Sequence, residues 1–418
     1  MQQFQVTFFA MLIFGAESQV RTSMLHFPKP GGLRTITMMA VSDGLDDLWD
    51  GPSQTDCIRF ARDLCWYGFV RTVFAVNDSM RFVIAGLGWW GRSWTDVLKI
   101  HPKAELIATV DPSVEARVWS REHLAVAHFS DLDTAFQEID ADAVLVTTPP
   151  KLHRPVLIQA IEHGKHVLVE KPLAASPEDA AKISNAIAKS KAKVMVGQGY
   201  RFMDSATILR QAFQSGTIGE LRAIRILFRQ YVPDLLEQDH PLYQLPHSIL
   251  IDMANHHFDL IRFLTGREFS KVTACEYETP GNAFRYPSSA LCLLTLESGV
   301  SVLWDGDWCH LQPRTSWEGE WEFIGSEGRM FWRGERDKEI KNRFYPMLFI
   351  ERPGGMLEKI PFEESIGDRR VPVLDHFIES ITHGRQPEPS AWDNLKMLRA
   401  VFGCIESTTA GREVILNP

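Results

Sequence analysis

The chain has 418 residues with a formal net charge of −9, 45% of them hydrophobic. That is too long for one small core, so two domains are expected, and apolar enough to fill both. The acidic balance disfavours nucleic acid and anionic membrane as partners, because phosphate recognition needs a basic face, and leaves a small molecule as the expected ligand.

Six cysteines (Cys57, Cys65, Cys275, Cys292, Cys309, Cys404) lie without CxxC or zinc spacing, so they read as small hydrophobes in a reducing, cytoplasmic setting. No apolar run is long enough to span a membrane, and no internal repeat or low-complexity tract occurs.

The run Val6 to Ala16 (VTFFAMLIFGA) has the apolar character of a signal-peptide core, but no Lys or Arg precedes it. The following stretch, through Gly44, Gly51 and Asn77, keeps neither a 3.6 nor a 2 period. Residues 1–79 are therefore expected to be a poorly structured extension, or the product of an upstream start that the cell does not use.

From Arg81 the pattern becomes regular. Arg81-Phe82-Val83-Ile84-Ala85 reads as a buried strand that runs into Gly86-Leu87-Gly88-Trp89-Trp90-Gly91 and a helix through Lys99. Glycines at G-x-G-x-x-G spacing serve a tight turn, close backbone approach to a pyrophosphate, and helix-on-strand packing. The strand Glu105 to Val110 ends in Asp111, twenty residues beyond Gly91, the spacing of a carboxylate that binds ribose hydroxyls. Such an acid repels a 2′-phosphate, so NAD is favoured over NADP; the competing reading of Asp111 is a helix N-cap.

Strand-like and helical runs continue to alternate through Ala143–Val146 and the helix Pro155–His163 to His166-Val167-Leu168-Val169-Glu170-Lys171-Pro172. This rhythm predicts a doubly wound parallel sheet with its ligand at the carboxyl ends of the strands. Lys171 then sits on the same edge as Gly86 and Asp111. A lysine closing a buried strand, followed by a proline that cannot pair, fits a cleft residue better than a core one.

These stretches, VIAGLGWWG, ELIATVD, TTPPKLH and EHGKHVLVEKPLA, resemble the glucose-fructose oxidoreductase and inositol dehydrogenase (Gfo/Idh/MocA) family from Met80 to the C-terminus. The resemblance implies an α/β Rossmann domain over 80–200 and an α+β domain with a large, mainly antiparallel open sheet over 201–418, the latter serving substrate binding and oligomerisation. It implies NAD contacts from Gly86, Gly88, Trp89, Trp90, Gly91, Asp111, Thr148, Pro149, His153, Glu170 and Lys171. Trp89 departs from the small residue that many relatives carry.

Past Gly199-Tyr200-Arg201-Phe202 the chain enters the second domain, where Arg201 is a candidate for a substrate hydroxyl or carboxylate, with an ion pair as the competing reading. The run Ser248 to Leu264 reads as one helix capped by Gly266, with Asp252, His256 and Asp259 at i, i+4 and i+7 on one face. A metal site there is disfavoured, because adjacent histidines diverge on a helix and HExxH spacing is lacking. In the family, a D-x-x-x-H pair and the lysine of Glu-Lys-Pro form the reacting site; Asp252, His256 and Lys171 match it. His256 is then the acid/base, Lys171 polarises the substrate oxygen, and Asp252 orients the imidazole or binds a second hydroxyl. Pro246-His247-Ser248 and Ala254 replace glycines that many relatives carry.

Farther on, strand-like runs are expected over Lys271–Glu278, Ala290–Leu296, Val300–Trp304 and Trp321–Trp332, and closing helices over Val371–Ile381 and Asp393–Thr408. Five tryptophans lie from Trp304 to Trp332; they are expected to cover a subunit contact of a homodimer or homotetramer rather than to stack on sugars. Trp308, His310 and Arg314 are secondary pocket candidates. The expected activity is NAD-dependent oxidation of a secondary alcohol on a sugar, sugar acid or cyclitol. Alternatives are a glycoside hydrolase or lyase using NAD for transient redox, and a non-catalytic NAD-bound regulator.

Overall fold

The computed structural model describes residues 79–416 except 279–282, 312, 338–342 and 366, and, before residue 79, the strands at 7–12, 19–29 and 32–42. The chain divides into two compact units, Met1–Ser79 and Met80–Pro418.

In the first unit β1 (Thr7–Leu12), β2 (Gln19–Lys29) and β3 (Gly32–Ser42) form a sheet in the order β1-β3-β2. β2 and β3 pair antiparallel from Gln19 with Ser42 to Lys29 with Gly32. The expectation of a stretch without regular structure differs from this backbone at 7–12, 19–29 and 32–42, and its part over 43–78 lies outside the described residues. Two short runs rich in Thr, Val, Ile and Phe are the strand signal that a search for long periods passes over. Cys57 and Cys65 lie outside the described residues.

The second unit opens with six strands: β4 (Met80–Ala85), β5 (Ala104–Val110), β6 (Ala127–Phe129), β7 (Ala143–Val146), β8 (His166–Val169) and β9 (Val194–Val196). All pair parallel, in the order β6-β5-β4-β7-β8-β9. The order reverses on either side of β4, which makes the crevice between the carboxyl ends of β4 and β7 the switch point where ligands bind in doubly wound sheets. Phe82, Val83, Ile84, all of β7, Val167, Leu168 and Val169 are buried, as continuous apolar strands covered on both faces must be.

Helix starts follow the local capping chemistry. Ser113, Asp131 and Ser176 each accept a backbone N–H three residues on, and Pro177 occupies the first turn behind Ser176. The helix Pro150–Glu162 begins five residues before the expected Pro155, which it accommodates inside its length at the loss of one intrahelical bond.

One layer of this sheet comes from the far end of the chain. The helix Arg370–Thr382, assigned by the sequence reading to the second domain, buries Val373, Leu374, Phe377 and Ile378 with Phe82, Ile84, Leu145, Leu168 and Met195. Phe377 and Phe82 stand 6.0 Å apart between ring centroids.

Nine further strands form the second sheet: β10 (Leu221–Arg229), β11 (Phe269–Tyr277), β12 (Ser289–Leu296), β13 (Ser301–Asp307), β14 (Glu320–Gly325), β15 (Arg329–Arg336), β16 (Phe344–Glu351), β17 (Glu358–Ile360) and β18 (Val414–Ile415). Their order is β17-β16-β15-β14-β10-β13-β12-β11-β18, antiparallel except where β10 meets β13. The run Trp321–Trp332 folds as two strands, not one, with a turn between Gly325 and Arg329.

Four of the five tryptophans correct the expectation drawn from them, while Trp317 is 37% exposed. Trp304, Trp308, Trp321 and Trp332 are almost wholly buried on the inner face, and the Trp304 indole N–H donates to His257 Nδ1 at 2.8 Å. Period-2 alternation does not say which face is outward. The outward face of the central strands instead carries Leu227, Leu291, Leu293 and Leu303.

Candidate functional site

The crevice at the switch point is built around two glycines that tolerate no side chain. A Cβ on Gly86, whose φ is +100°, would stand 2.7 Å from the Thr148 backbone nitrogen, and one on Gly91 would stand 2.0 Å from the Gly86 carbonyl. A Cβ on Gly88 would meet no protein atom within 4 Å. Beside them Thr148 Oγ1 is buried without a hydrogen-bond partner among the described residues. A turn that tight, an open backbone at its middle and an orphaned hydroxyl on the opposite wall fit a dinucleotide pyrophosphate delivered to the N-terminus of the helix Trp89–Ile100. The Asp111 carboxylate accepts N–H from Leu87 at 2.7 Å and from Ser113 at 2.8 Å, which fixes it beside the glycine turn.

Glu170 lies beneath that turn. The Trp94 indole donates to Glu170 Oε1 at 2.7 Å and Trp90 hydrogen-bonds the same carboxyl, while burial pushes its pKa above the usual range. Trp89 is 78% exposed and stacks on Trp90 at 5.2 Å. Pro149 caps the helix Pro150–Glu162. His153 is buried, its two ring nitrogens 2.7 and 2.8 Å from the Pro172 and Thr148 carbonyls. It packs between the Thr148 wall and the Glu-Lys-Pro turn, and as a neutral ring it donates to one of the two carbonyls.

Lys171 reaches out of this turn toward the second domain, where its ammonium donates to Asp252 Oδ1 at 2.5 Å and approaches the Asp252 carbonyl at 3.4 Å. Asp252 belongs to a π-helical segment, Ile249–Ala254, that leads into the α-helix Asn255–Thr265. The expectation of one regular helix is thus corrected. A π turn carries extra backbone and shifts the residues before it around the axis, and the three polar residues meet different partners.

His256 is the second of them. Its Nδ1 stands 3.0 Å from Gln198 Oε1, and Gln198 Nε2 donates to Asn255 Oδ1 at 2.6 Å. With the amide nitrogen spent on Asn255, Gln198 presents an acceptor to the ring, so Nδ1 carries the proton and Nε2 the lone pair. Among the described residues nothing hydrogen-bonds that Nε2. Tyr200 stacks on the imidazole, ring centroids 4.5 Å apart at 21°. Burial, then the charges of Lys171, His257 and Arg369, hold the His256 pKa well below its ordinary value. Burial also pushes the Tyr200 phenol up, so it keeps its proton. Asp252 does not orient this ring, contrary to expectation; Gln198 and Tyr200 do.

Asp259 faces another way. Arg201 donates to both of its oxygens at 2.6 Å and to Asp393 Oδ2 at 2.5 Å, and Arg262 joins Asp393 to Glu268. This corrects the substrate-binding expectation for Arg201: its guanidinium is buried and consumed by two carboxylates, the ion-pair reading. Arg314 pairs with Asp234, His310 approaches Asp307 at 3.6 Å, and Trp308 is core. Among the described residues no group of three or more His, Cys, Asp or Glu side chains is placed to hold a metal ion.

Sequence reasoning missed Gln198, Tyr200 and Arg369. Gln198 had a signal, a polar residue closing the buried run Val194-Met195-Val196 on the same edge as Lys171. Arg369 had none, since it arrives from 113 residues beyond His256.

Residues 80–198 match the model described as oxidoreductase family, NAD-binding Rossmann fold, and residues 207–331 match the GFO/IDH/MocA C-terminal domain. Myo-inositol 2-dehydrogenase of Thermotoga maritima is 26% identical over 345 residues, 81% of this chain and 99% of that one. The scyllo-inositol 2-dehydrogenase (NAD(+)) of Bacillus subtilis is 26% identical over 324 residues, 75% of this chain and 89% of that one. An oxidoreductase from Agrobacterium radiobacter, solved with NAD+, L-tartaric acid and magnesium, superposes with a TM-score of 0.71 at 20% identity, covering 81% of this chain and 98% of that one.

Proposed function

The chain belongs to the Gfo/Idh/MocA family of NAD-binding oxidoreductases, and on that premise we propose that it interconverts a secondary alcohol and a carbonyl on a sugar, sugar acid or cyclitol. The observation that carries this reading is the approach of Lys171 to Asp252, 2.5 Å, beside an imidazole whose Nδ1 is committed to Gln198. The inositol dehydrogenases among the relatives support a polyhydroxylated ring as substrate.

When bound, the nicotinamide supplies the hydride acceptor. The chain supplies orientation and proton handling. His256 accepts the hydroxyl proton at Nε2, which its neutral state leaves free. Lys171 stabilises the negative charge that grows on the substrate oxygen. Asp252 holds the ammonium in place and offers its remaining lone pairs to a neighbouring hydroxyl. Asp111, already fixed beside the glycine turn, accepts from the ribose hydroxyls and disfavours a 2′-phosphate, which supports NAD over NADP.

The exposed Leu227, Leu291, Leu293 and Leu303 lie on neighbouring strands, with Leu293 opposite Leu303, and support a homo-oligomer through the outer face of the second sheet. The acidic charge balance supports the reading of a cytoplasmic enzyme without membrane or nucleic-acid partners; no described helix is long and apolar enough to cross a membrane. Screening polyols, aldoses and glycosides with NAD, following both NADH absorbance and released product, tests the activity. NADH formation with a polyol or aldose is expected; glycoside cleavage without net NADH would assign the transient-redox chemistry instead.

A further inference from the structure

His256 is enclosed by residues from separate parts of the chain, and one of them, Arg369, takes no part in proton or charge handling at the substrate. Arg369 immediately precedes the helix Arg370–Thr382. Its guanidinium carbon lies 5.2 Å from the centroid of the Tyr200 ring, and its Nη2 lies 2.5 Å from Glu318 Oε1. Tyr200 stacks on His256, and its hydroxyl donates to the Trp317 carbonyl at 3.3 Å. The neighbouring Arg370 lies over the Trp90 and Trp94 rings at 5.0 and 5.4 Å and donates to Ser93 Oγ at 2.7 Å. Two consecutive arginines thus grip the cofactor helix on one side and the support of the imidazole on the other.

We propose that Arg369, tied to Glu318 and laid on the Tyr200 ring, is a positioning residue that fixes the seat of His256. The groups facing the imidazole are Lys171, itself paired with Asp252; His257, whose burial drives its own pKa to about 3; Tyr200, which stays protonated; and Arg369. Lys171 sits where the substrate oxygen is to be bound, and His257 is neutral at working pH. Arg369 is the cation not reserved for chemistry. A nearby positive charge disfavours the imidazolium, and a cation on an aromatic face steadies the ring beneath it.

The consequence for turnover rests on His256 as the proton-transfer group, so the test reads the imidazole directly. In the full chain the His256 Cε1–H resonance, assigned by its loss in His256→Gln, is followed by NMR against pH. The native resonance is expected to titrate below the ordinary histidine range, Arg369→Met to move it upward, and Arg369→Lys to return it toward the native position. The double variant Arg369→Met/Glu318→Gln leaves no unpaired buried carboxylate and is expected to show a smaller upward shift than Arg369→Met, because the lost carboxylate had favoured the imidazolium. An unmoved titration in both Met variants, or equal displacement in Met and Lys, would overturn the proposal. Failure of every polyol as substrate would defeat the functional reading while leaving this titration to stand or fall by itself.

Discussion

Lys171 and Asp252 meet at 2.5 Å from opposite sides of the cleft, one at the carboxyl end of β8 and the other inside a π-helical turn. Both side chains are largely withdrawn from water, and their pairing places the ammonium beside His256. We predict that Lys171→Ala lowers turnover by about 10²–10³-fold, the scale for removing a donor to a developing oxyanion, while the affinity for NAD measured by calorimetry holds. Unchanged turnover would remove Lys171 from the chemistry.

Gln198→Leu keeps the volume near His256 but takes away the acceptor that selects its tautomer. Leaving a buried ring N–H unpaired costs about 1–3 kcal/mol, so kcat is expected to fall by roughly 5- to 150-fold with KM changing much less. A loss confined to KM would place Gln198 in substrate binding.

Arg201 and Asp259 form a buried pair away from the reacting groups. Breaking such a pair from one side costs about 3–5 kcal/mol. Arg201→Met is therefore expected to lower the urea midpoint of unfolding sharply, with KM for the best substrate retained in the folded fraction. A raised KM at native stability would restore Arg201 to the pocket.

Asp111→Ala removes the carboxylate that two backbone N–H groups hold beside the glycine turn. The ratio of kcat/KM for NAD over NADP is expected to drop at least about tenfold, the worth of one good hydrogen bond to a charged group. An unchanged ratio would assign cofactor choice to other residues.

Acid stability follows from histidines buried neutral. His153, His256 and His257 all have folded pKa values lowered by burial. Above about pH 6.5 neither state binds the proton, so these groups add no pH dependence. Below it the unfolded chain takes up protons that the fold refuses, and stability falls with pH by about 1.4 kcal/mol per unit for each. Chemical denaturation from pH 7 to 5 checks this; stability that rises on acidification would contradict it.

Much of the nucleotide domain was legible because its signals are local. Gly86 and Gly91 are demanded by turn geometry and Gly88 keeps the backbone between them open, all within six residues, and Asp111 and Lys171 close apolar strands whose parallel order puts their ends together. The second domain was legible in its elements but not in its facing, since alternation around Trp304 and Trp321 does not say which side is covered. Asp252 leaves the Asp252/His256/Asp259 stripe because an α-helical wheel assumes a constant turn and Ile249–Ala254 departs from it; His256 and Asp259, both in the α-helix Asn255–Thr265, meet partners brought by different parts of the chain. Gln198, Tyr200 and Arg369 come to His256 through tertiary packing, over separations from 56 to 113 residues, for which one sequence holds no pattern.

The most direct test of the central claim uses a polyol accepted in the screen, deuterated at its carbinol carbon and incubated with enzyme and NAD. Deuterium is expected on the nicotinamide of the NADH produced, with transfer slowed by about 10²–10³-fold in Lys171→Ala and by about 10²–10⁴-fold in His256→Gln. Turnover that leaves the label in solvent or on the product, or that both substitutions leave unchanged, would contradict it.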